Sequence, residues 1–142
     1  APRAELARPQ YDDVVGEVCA FLQVRAERAI DLGVGDEQLI VDPGHDLNKN
    51  TLHTLELTRR FDEISSLGFP ALAAVSNKDF IGETLDREQR DRVAGSLASA
   101  VPCILLGARI VRMHNVPEAV DATRMTEAIL GLRAPAYTRH NA

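Results

Sequence analysis

Tryptophan is missing from this chain, and aromatic residues of any kind make up only 4% of it. A core built from such a sequence has to rest on Leu, Val, Ile and Ala. Long apolar runs are missing too: no stretch approaches the roughly 18 apolar residues that a spanning helix needs, which argues against a membrane protein. There is no basic excess, since the net charge is −5. Nucleic acid and anionic membrane are disfavoured as partners, because both are bound through basic faces that release counterions. A local positive site for a small anion stays open. The only two cysteines, Cys19 and Cys103, lie in helix-like segments without metal-ligand spacing. They read as reduced, partly buried thiols of a cytoplasmic protein. No basic, apolar targeting segment is seen, and the chain starts at Ala1 instead of Met, as a processed product or a piece of a longer protein would. There is no Gly-x-Gly-x-x-Gly, no phosphate-binding loop and no nucleophile elbow. His45 and Asp46 look like half of a metal site, but His53 and His140 offer no companion spacing, so the chain's own residues are expected to hold no metal.

What is present is a rhythm. Three short apolar runs each end abruptly in ionisable or amide residues. Leu39–Val41 runs into Asp42-Pro43-Gly44-His45-Asp46, Ala71–Val75 into Ser76-Asn77-Lys78-Asp79, and Ile110–Val111 into Arg112-Met113-His114-Asn115. Helix-length stretches separate them, and repeated strand–helix units imply an α/β protein with a parallel sheet. Every strand of such a sheet delivers its C-terminal end to one edge, where barrel and doubly wound enzymes place their chemistry. Asp42, Lys78, Arg112 and His114 are therefore expected to converge on one pocket. The length of 142 residues gives one domain, 1–142.

Ala1–Gln10 reads as a loop. A helix is expected over Tyr11–Leu32, with Val14, Val18, Phe21, Leu22 and Ala29 on its buried face and Gly33 as its stop. Strands are expected at Gln38–Asp42, Ala71–Ser76 and Arg109–His114. A second helix runs from Thr51 or Thr54 to Leu67 with Leu57, Phe61, Ile64 and Leu67 inward. Asn77–Leu85 reads as a loop, and the next helix starts near Asp86, with Val93, Leu97, Ala100 and Ile104 as its stripe. Pro102 should kink or divide that helix. Pro117 opens the last helix, whose buried face is Ala122, Met125, Ile129 and Leu132; Ala134–Ala142 reads as a tail. Three parallel strands cannot close a barrel, which takes eight, and their two unpaired edges favour self-association.

Each polar position has two readings. Arg112 and His114 are two apart on a strand and share a face, which suits a planar fork and a second donor on phosphate; they could equally bond local carbonyls. Lys78 could contact ring carbonyls of a ligand or pair with Asp79. Asp42 could accept paired donors from an amino-pyrimidine edge, or simply form the Asp-Pro-Gly turn.

Taken together, Leu39–Lys49 (LIVDPGHDLNK), Val75–Gly82 (VSNKDFIG) and Gly107–Val116 (GARIVRMHNV) resemble dihydropteroate synthase. That family has an Asp-Pro-Gly loop, a Ser-Arg-Lys loop and an Arg-Val-His-Asp-Val strand end in the same order. The resemblance covers Tyr11 to Leu132 and implies the C-terminal half of a TIM (β/α)8 barrel, three parallel strands with flanking helices. It also implies condensation of 6-hydroxymethyl-dihydropterin pyrophosphate with p-aminobenzoate in folate biosynthesis, in a cytoplasmic homodimer. By the same resemblance Asp42 and Lys78 bind the pterin, Ser76, Asn77 and Leu47 border the substrates, and Arg112 and His114 hold the departing pyrophosphate. Lys78, Arg112 and His114 are the implied catalytic set. Mg2+ is implied as well, with its protein ligand outside this segment.

Departures from the family pattern fall on one side. Leu47 replaces a Phe that lines the aminobenzoate pocket, Asn48 a small residue, and His45-Asp46 an apolar-Gly pair. Asn77 replaces an Arg, Asn115 an Asp, and Pro102 interrupts a helix that is Ala-rich in most members. The pterin and anion positions are kept and the second-substrate side is altered, which resembles the divergent actinobacterial branch of the family. A non-catalytic pterin-binding paralogue is therefore one alternative. A pterin-dependent methyltransferase, which has no need of the Arg112–His114 pair, is another. The 142 residues alone are expected to have little or no activity.

Overall fold

A computed structural model describes residues 10–141; the loop expected over Ala1–Gln10 lies outside them except for Gln10. The chain runs α1 (Val14–Asp31), a 3-10 turn (Asp36–Gln38), α2 (Thr51–Arg59), α3 (Phe61–Ser65), β1 (Leu72–Ala73), α4 (Asp79–Leu85), a second 3-10 turn (Gln89–Asp91), α5 (Val93–Leu105), β2 (Ile110–Val111) and α6 (Val116–Ile129). β1 and β2 pair in parallel, Leu72 opposite Ile110 and Ala73 opposite Val111.

The strand expected at Gln38–Asp42 is reduced to one parallel bridge, Val41 to Ala71, held by Val41 N–H to Pro70 O (3.0 Å) and Leu72 N–H to Val41 O (2.8 Å). The sheet therefore has two strands plus a bridge, not three strands. The physical reason is one-sided pairing. Among the described residues this segment has a strand neighbour on one side only, and a ladder with one neighbour frays early. The middle segment differs: Ala73, Ala74, Val75 and Ser76 are all buried in succession, as expected for a parallel strand covered on both faces.

The core is aliphatic with two phenylalanines. Val15, Leu57, Phe61, Ile64, Ala73, Val75 and Cys103 have no exposed surface, and Phe80 has almost none. Four helical expectations need correction. The loop expected over Asn77–Leu85 contains α4, and Asp86 ends that helix in a left-handed conformation (φ 53°) instead of starting the next one, which begins at Val93. α5 also buries Gly95, Ser96, Ala100 and Cys103, so of the expected stripe only Ala100 is fully inside. Pro102 lies in its last turns without dividing it; the missing N–H would have served Ala98, which faces solvent where water can satisfy the carbonyl. The helix expected to Leu67 breaks at Arg60, whose guanidinium is drawn to Asp13 (2.9 Å), Glu56 (2.8 Å) and Glu63 (2.6 Å).

Two faces are rotated from expectation. Phe21 is 58% exposed, with the Arg25 guanidinium over its ring at 5.0 Å, while Val14, Val15, Val18 and Ala26 are the buried side of α1. On α6, Met125 and Ile129 are exposed and Ala119 and Thr126 are buried; Leu132, also exposed, lies past the end of the helix. Thr126 can be inside because its hydroxyl donates to Ala122 O at 2.8 Å, leaving no polar group unsatisfied.

Candidate functional site

The parallel arrangement puts the chain that follows Val41, Val75 and Val111 at one edge, in the spatial order Val41 segment, β1, β2. Five of the seven site residues expected from sequence meet there in a single hollow. Ser76, Asn77, Lys78, Arg112 and His114 line a cavity of about 320 Å3 together with Ala74, Met113 and Gln89. Asp42 and Leu47 do not line it. They border a neighbouring, larger hollow of about 480 Å3 between α1 and the Asp42–Lys49 loop. The expected single pocket is two hollows on one edge.

Within the first hollow the geometry is specific. His114 N–H donates to Ser76 Oγ at 3.0 Å, and His114 Nδ1 lies 2.9 Å from the same oxygen. Ser76 Oγ can either donate to Nδ1 or accept from it; in the first tautomer the other ring nitrogen carries the proton and, on an exposed ring, can donate to an anion. Arg112 is exposed and Lys78 half-buried. Among the described residues neither makes an ion pair: Asp79, the expected partner of Lys78, binds Arg92 instead at 2.9 Å. Two cations and an imidazole donor therefore face one small cavity without a counter-charge, which is a site for an anion.

Asn77 departs from this. It holds a left-handed backbone (φ 56°), its N–H donates to Ser96 Oγ at 2.9 Å, and its Oδ1 sits 3.3 Å from that hydroxyl. Much of its polar capacity is spent on α5.

The second hollow is bordered by a loop that spends many of its polar groups on contacts within and behind itself. Asp42 Oδ1 accepts the Gly44 N–H at 2.8 Å, the turn-forming role; Oδ2 has no partner among the described residues. Gly44 takes φ 71°, which the turn requires of a residue without Cβ. Lys49 Nζ donates to Gly44 O (3.2 Å) and Leu47 O (3.1 Å). Burial pulls the Lys49 ammonium below its ordinary pKa, and the charge of Asp42 partly opposes this. Asp46 Oδ1 accepts from Thr54 (3.0 Å), and Oδ2 accepts the Phe80 N–H (3.1 Å). Leu47 is 64% exposed.

His45, read from sequence as half of a metal site, is wholly buried between Phe61 and Phe80, and neither ring nitrogen has a partner. Burial first, then the charges of Lys49 and Lys78, push its pKa down to about 4, so it is neutral at physiological pH. Among the described residues no three side chains of metal-binding type converge, and no step below passes through a metal. No described helix is long and apolar enough to cross a membrane.

Sequence reasoning missed Arg92, Ser96 and Asp46 as supports of the site. A signal existed for Arg92. It stands at the N-terminal end of α5, where the helix dipole disfavours a cation, and a local conflict of that kind points to a tertiary role.

The sequence pattern of pterin-binding enzymes matches residues 1–114. Among similar proteins, "Inactive dihydropteroate synthase 2" of Mycobacterium leprae is 41% identical over 92% of this chain and 44% of its own length. Dihydropteroate synthase of Haemophilus influenzae is 36% identical over 89% of this chain and 46% of its own. Among solved structures, the dihydropteroate synthase of Xanthomonas albilineans in complex with 7,8-dihydropteroate superposes with a TM-score of 0.86 at 36% identity, covering 91% of this chain and 50% of that one. The chain thus spans less than half the length of these curated relatives.

Proposed function

Because this chain belongs to the pterin-binding enzyme family, we propose that its strand edge carries the pterin-diphosphate side of a dihydropteroate-synthase-type transferase site. Arg112 and His114 grip the diphosphate, Lys78 and Asp42 the pterin. In the reaction so assigned, the amine of p-aminobenzoate attacks the pterin methylene carbon. The C–O bond to the diphosphate breaks, the leaving group takes the electron pair, and the amine loses a proton. Arg112 and the exposed imidazole N–H of His114 offset the charge that grows on the departing oxygens. The single observation behind this reading is the cavity shared by Ser76, Lys78, Arg112 and His114, with its cations unpaired. Mg2+ and a homodimer belong to the same proposal, with the metal's ligands beyond the described residues.

A second reading is supported by the other hollow. Leu47 is largely exposed and Asn77 is turned onto Ser96, so the side assigned to p-aminobenzoate lacks a built wall. A paralogue that binds the pterin without turnover fits that side better, and the 142 residues on their own are expected to bind without turning over.

Calorimetric titration of the chain with 6-hydroxymethyl-dihydropterin pyrophosphate tests the first reading. Saturable binding that Arg112→Ala and His114→Ala each weaken is the expected result; no heat, or binding indifferent to both variants, rejects it. Product formation on adding p-aminobenzoate would reject the paralogue reading.

A further inference from the structure

Lys78 projects from a short segment that is fixed at four backbone groups, while its own ammonium has no partner among the described residues. Behind it, Arg92 Nη1 donates to the carbonyls of Asn77 and Lys78, both at 3.1 Å, and to the Asp79 carboxylate at 2.9 Å; Nε donates to Arg87 O at 3.1 Å. This guanidinium is 13% exposed. Room for it comes from Gly82, where a Cβ would collide with the guanidinium itself. In front, the Asp46 carboxylate takes the Phe80 N–H, and Ser96 takes the N–H of Asn77.

Neither Arg92 nor Asp46 lines the cavity of Lys78 and His114. We infer that Arg92 and Asp46 are positioning residues that lock residues 77–80 from both sides and so aim the Lys78 ammonium into that cavity. This rests on the proposed anion and pterin reading of the site. The physical logic is preorganisation. A free lysine side chain carries about 2 kcal/mol of rotamer entropy, so a ligand that recruits it loses less when the root of the side chain is already fixed. Asp46 adds something further. It joins the loop after Val41 to the start of α4, one residue past the Lys78–Asp79 link, so the two hollows move as one body.

The chain offers an unusually clean reporter, because Lys49 and Lys78 are its only lysines against fourteen arginines. Reductive 13C-dimethylation keeps both charges and gives two side-chain NMR signals, assigned with Lys49→Arg. Without ligand, Arg92→Gln should shift the Lys78 signal toward that of an unstructured dimethyl-lysine and leave the Lys49 signal in place. Titration with inorganic pyrophosphate should move the Lys78 signal. Affinity should fall about tenfold in Arg92→Gln and about threefold in Asp46→Gly, with Asp46→Asn closer to wild type because its amide oxygen still accepts. Unchanged Lys78 signals in both Arg92→Gln and Asp46→Gly overturn the inference. So do Lys49 and Lys78 signals that move together with a drop in melting temperature, which is plain destabilisation. A wild-type Lys78 signal indifferent to pyrophosphate rejects the anion reading alone; the ligand-free comparison still decides the clamp.

Discussion

The two halves of the strand edge treat their polar groups in opposite ways. On the β1–β2 side the strands pair in register, and the side chains beyond them are left unmatched: among the described residues Lys78 and Arg112 have no acid, and His114 spends one ring nitrogen on Ser76 and keeps the other. Beyond Val41 the pairing is a single bridge, and the loop closes on itself through Asp42 with Gly44, Lys49 with two carbonyls, and Asp46 with Thr54 and Phe80. Unpaired charges at a well-supported rim suit a ligand, whereas a loop bonded largely to itself around the sealed, unpartnered His45 mainly maintains its own shape.

The sharpest test of that contrast is acid. His45 has no hydrogen-bond partner, and its folded pKa of about 4 lies below the usual 6.5. The unfolded chain therefore takes up a proton that the folded chain refuses. The stability this reflects is fully present above pH 6.5 and is lost as pH falls from there toward 4, by up to about 3 kcal/mol. Urea unfolding at pH 7 and pH 4.5 should show the loss in wild type and a smaller one in His45→Phe. At pH 7 that variant should also gain about 1 kcal/mol, since it removes unsatisfied nitrogens from an aromatic pocket. Equal acid losses in both proteins would mean that His45 already shares its protons with water, and the loop would not be sealed as described.

Next in size is the free rim. Arg112→Ala should weaken pyrophosphate binding by about thirtyfold, the scale of a lost charge-assisted pair. Asp42→Asn should leave pyrophosphate affinity within about twofold, since a neutral amide oxygen can keep the Gly44 contact. Calorimetry on the two variants decides it. Comparable losses would merge the hollows into one site and end the contrast. Ser76→Ala should cost less, about fivefold, by releasing the ring of His114.

How far the sequence alone reached follows the same division. Strand tips announced themselves, because a buried apolar run that ends in Ser-Asn-Lys or Arg-Met-His has few other uses. The family resemblance then fixed the order of the elements. Of the two readings of Asp42, the structure shows the turn-forming one, through Gly44 N–H; the pterin role stays a proposal. What could not be read was rotation. α1 and α6 carry apolar residues around more than half of their circumference, so periodicity could not say that Phe21 and Met125 face outward while Thr126 faces in. The start of α4 was hidden as well. Asn77 in a left-handed conformation ends one segment and Lys78 caps the next helix, a junction dictated by Arg92 and Ser96 from fifteen or more positions away.

That junction carries the smallest predicted effect and the finest test of the comparison. Among the described residues Asn77 is one of five non-glycine residues with positive φ, and all five are Asn or Asp, the types that tolerate that region best. Asn77→Ala should cost about 1 kcal/mol of stability, because alanine keeps the Cβ but lacks the short amide that makes Asn tolerant of this conformation and that meets Ser96. Asn77→Gly relieves the Cβ but loses the Oδ1 contact with Ser96, so its net change should lie within about 0.5 kcal/mol of zero. Both can be read from thermal melts. If pyrophosphate affinity survives in both variants, the side chain of Asn77 belongs to the fold and not to the rim, and its place among the substrate-bordering residues is lost. An affinity that falls in Asn77→Gly without a change in melting temperature would return Asn77 to the ligand side, and the unmatched rim would then extend one residue closer to the self-bonded loop.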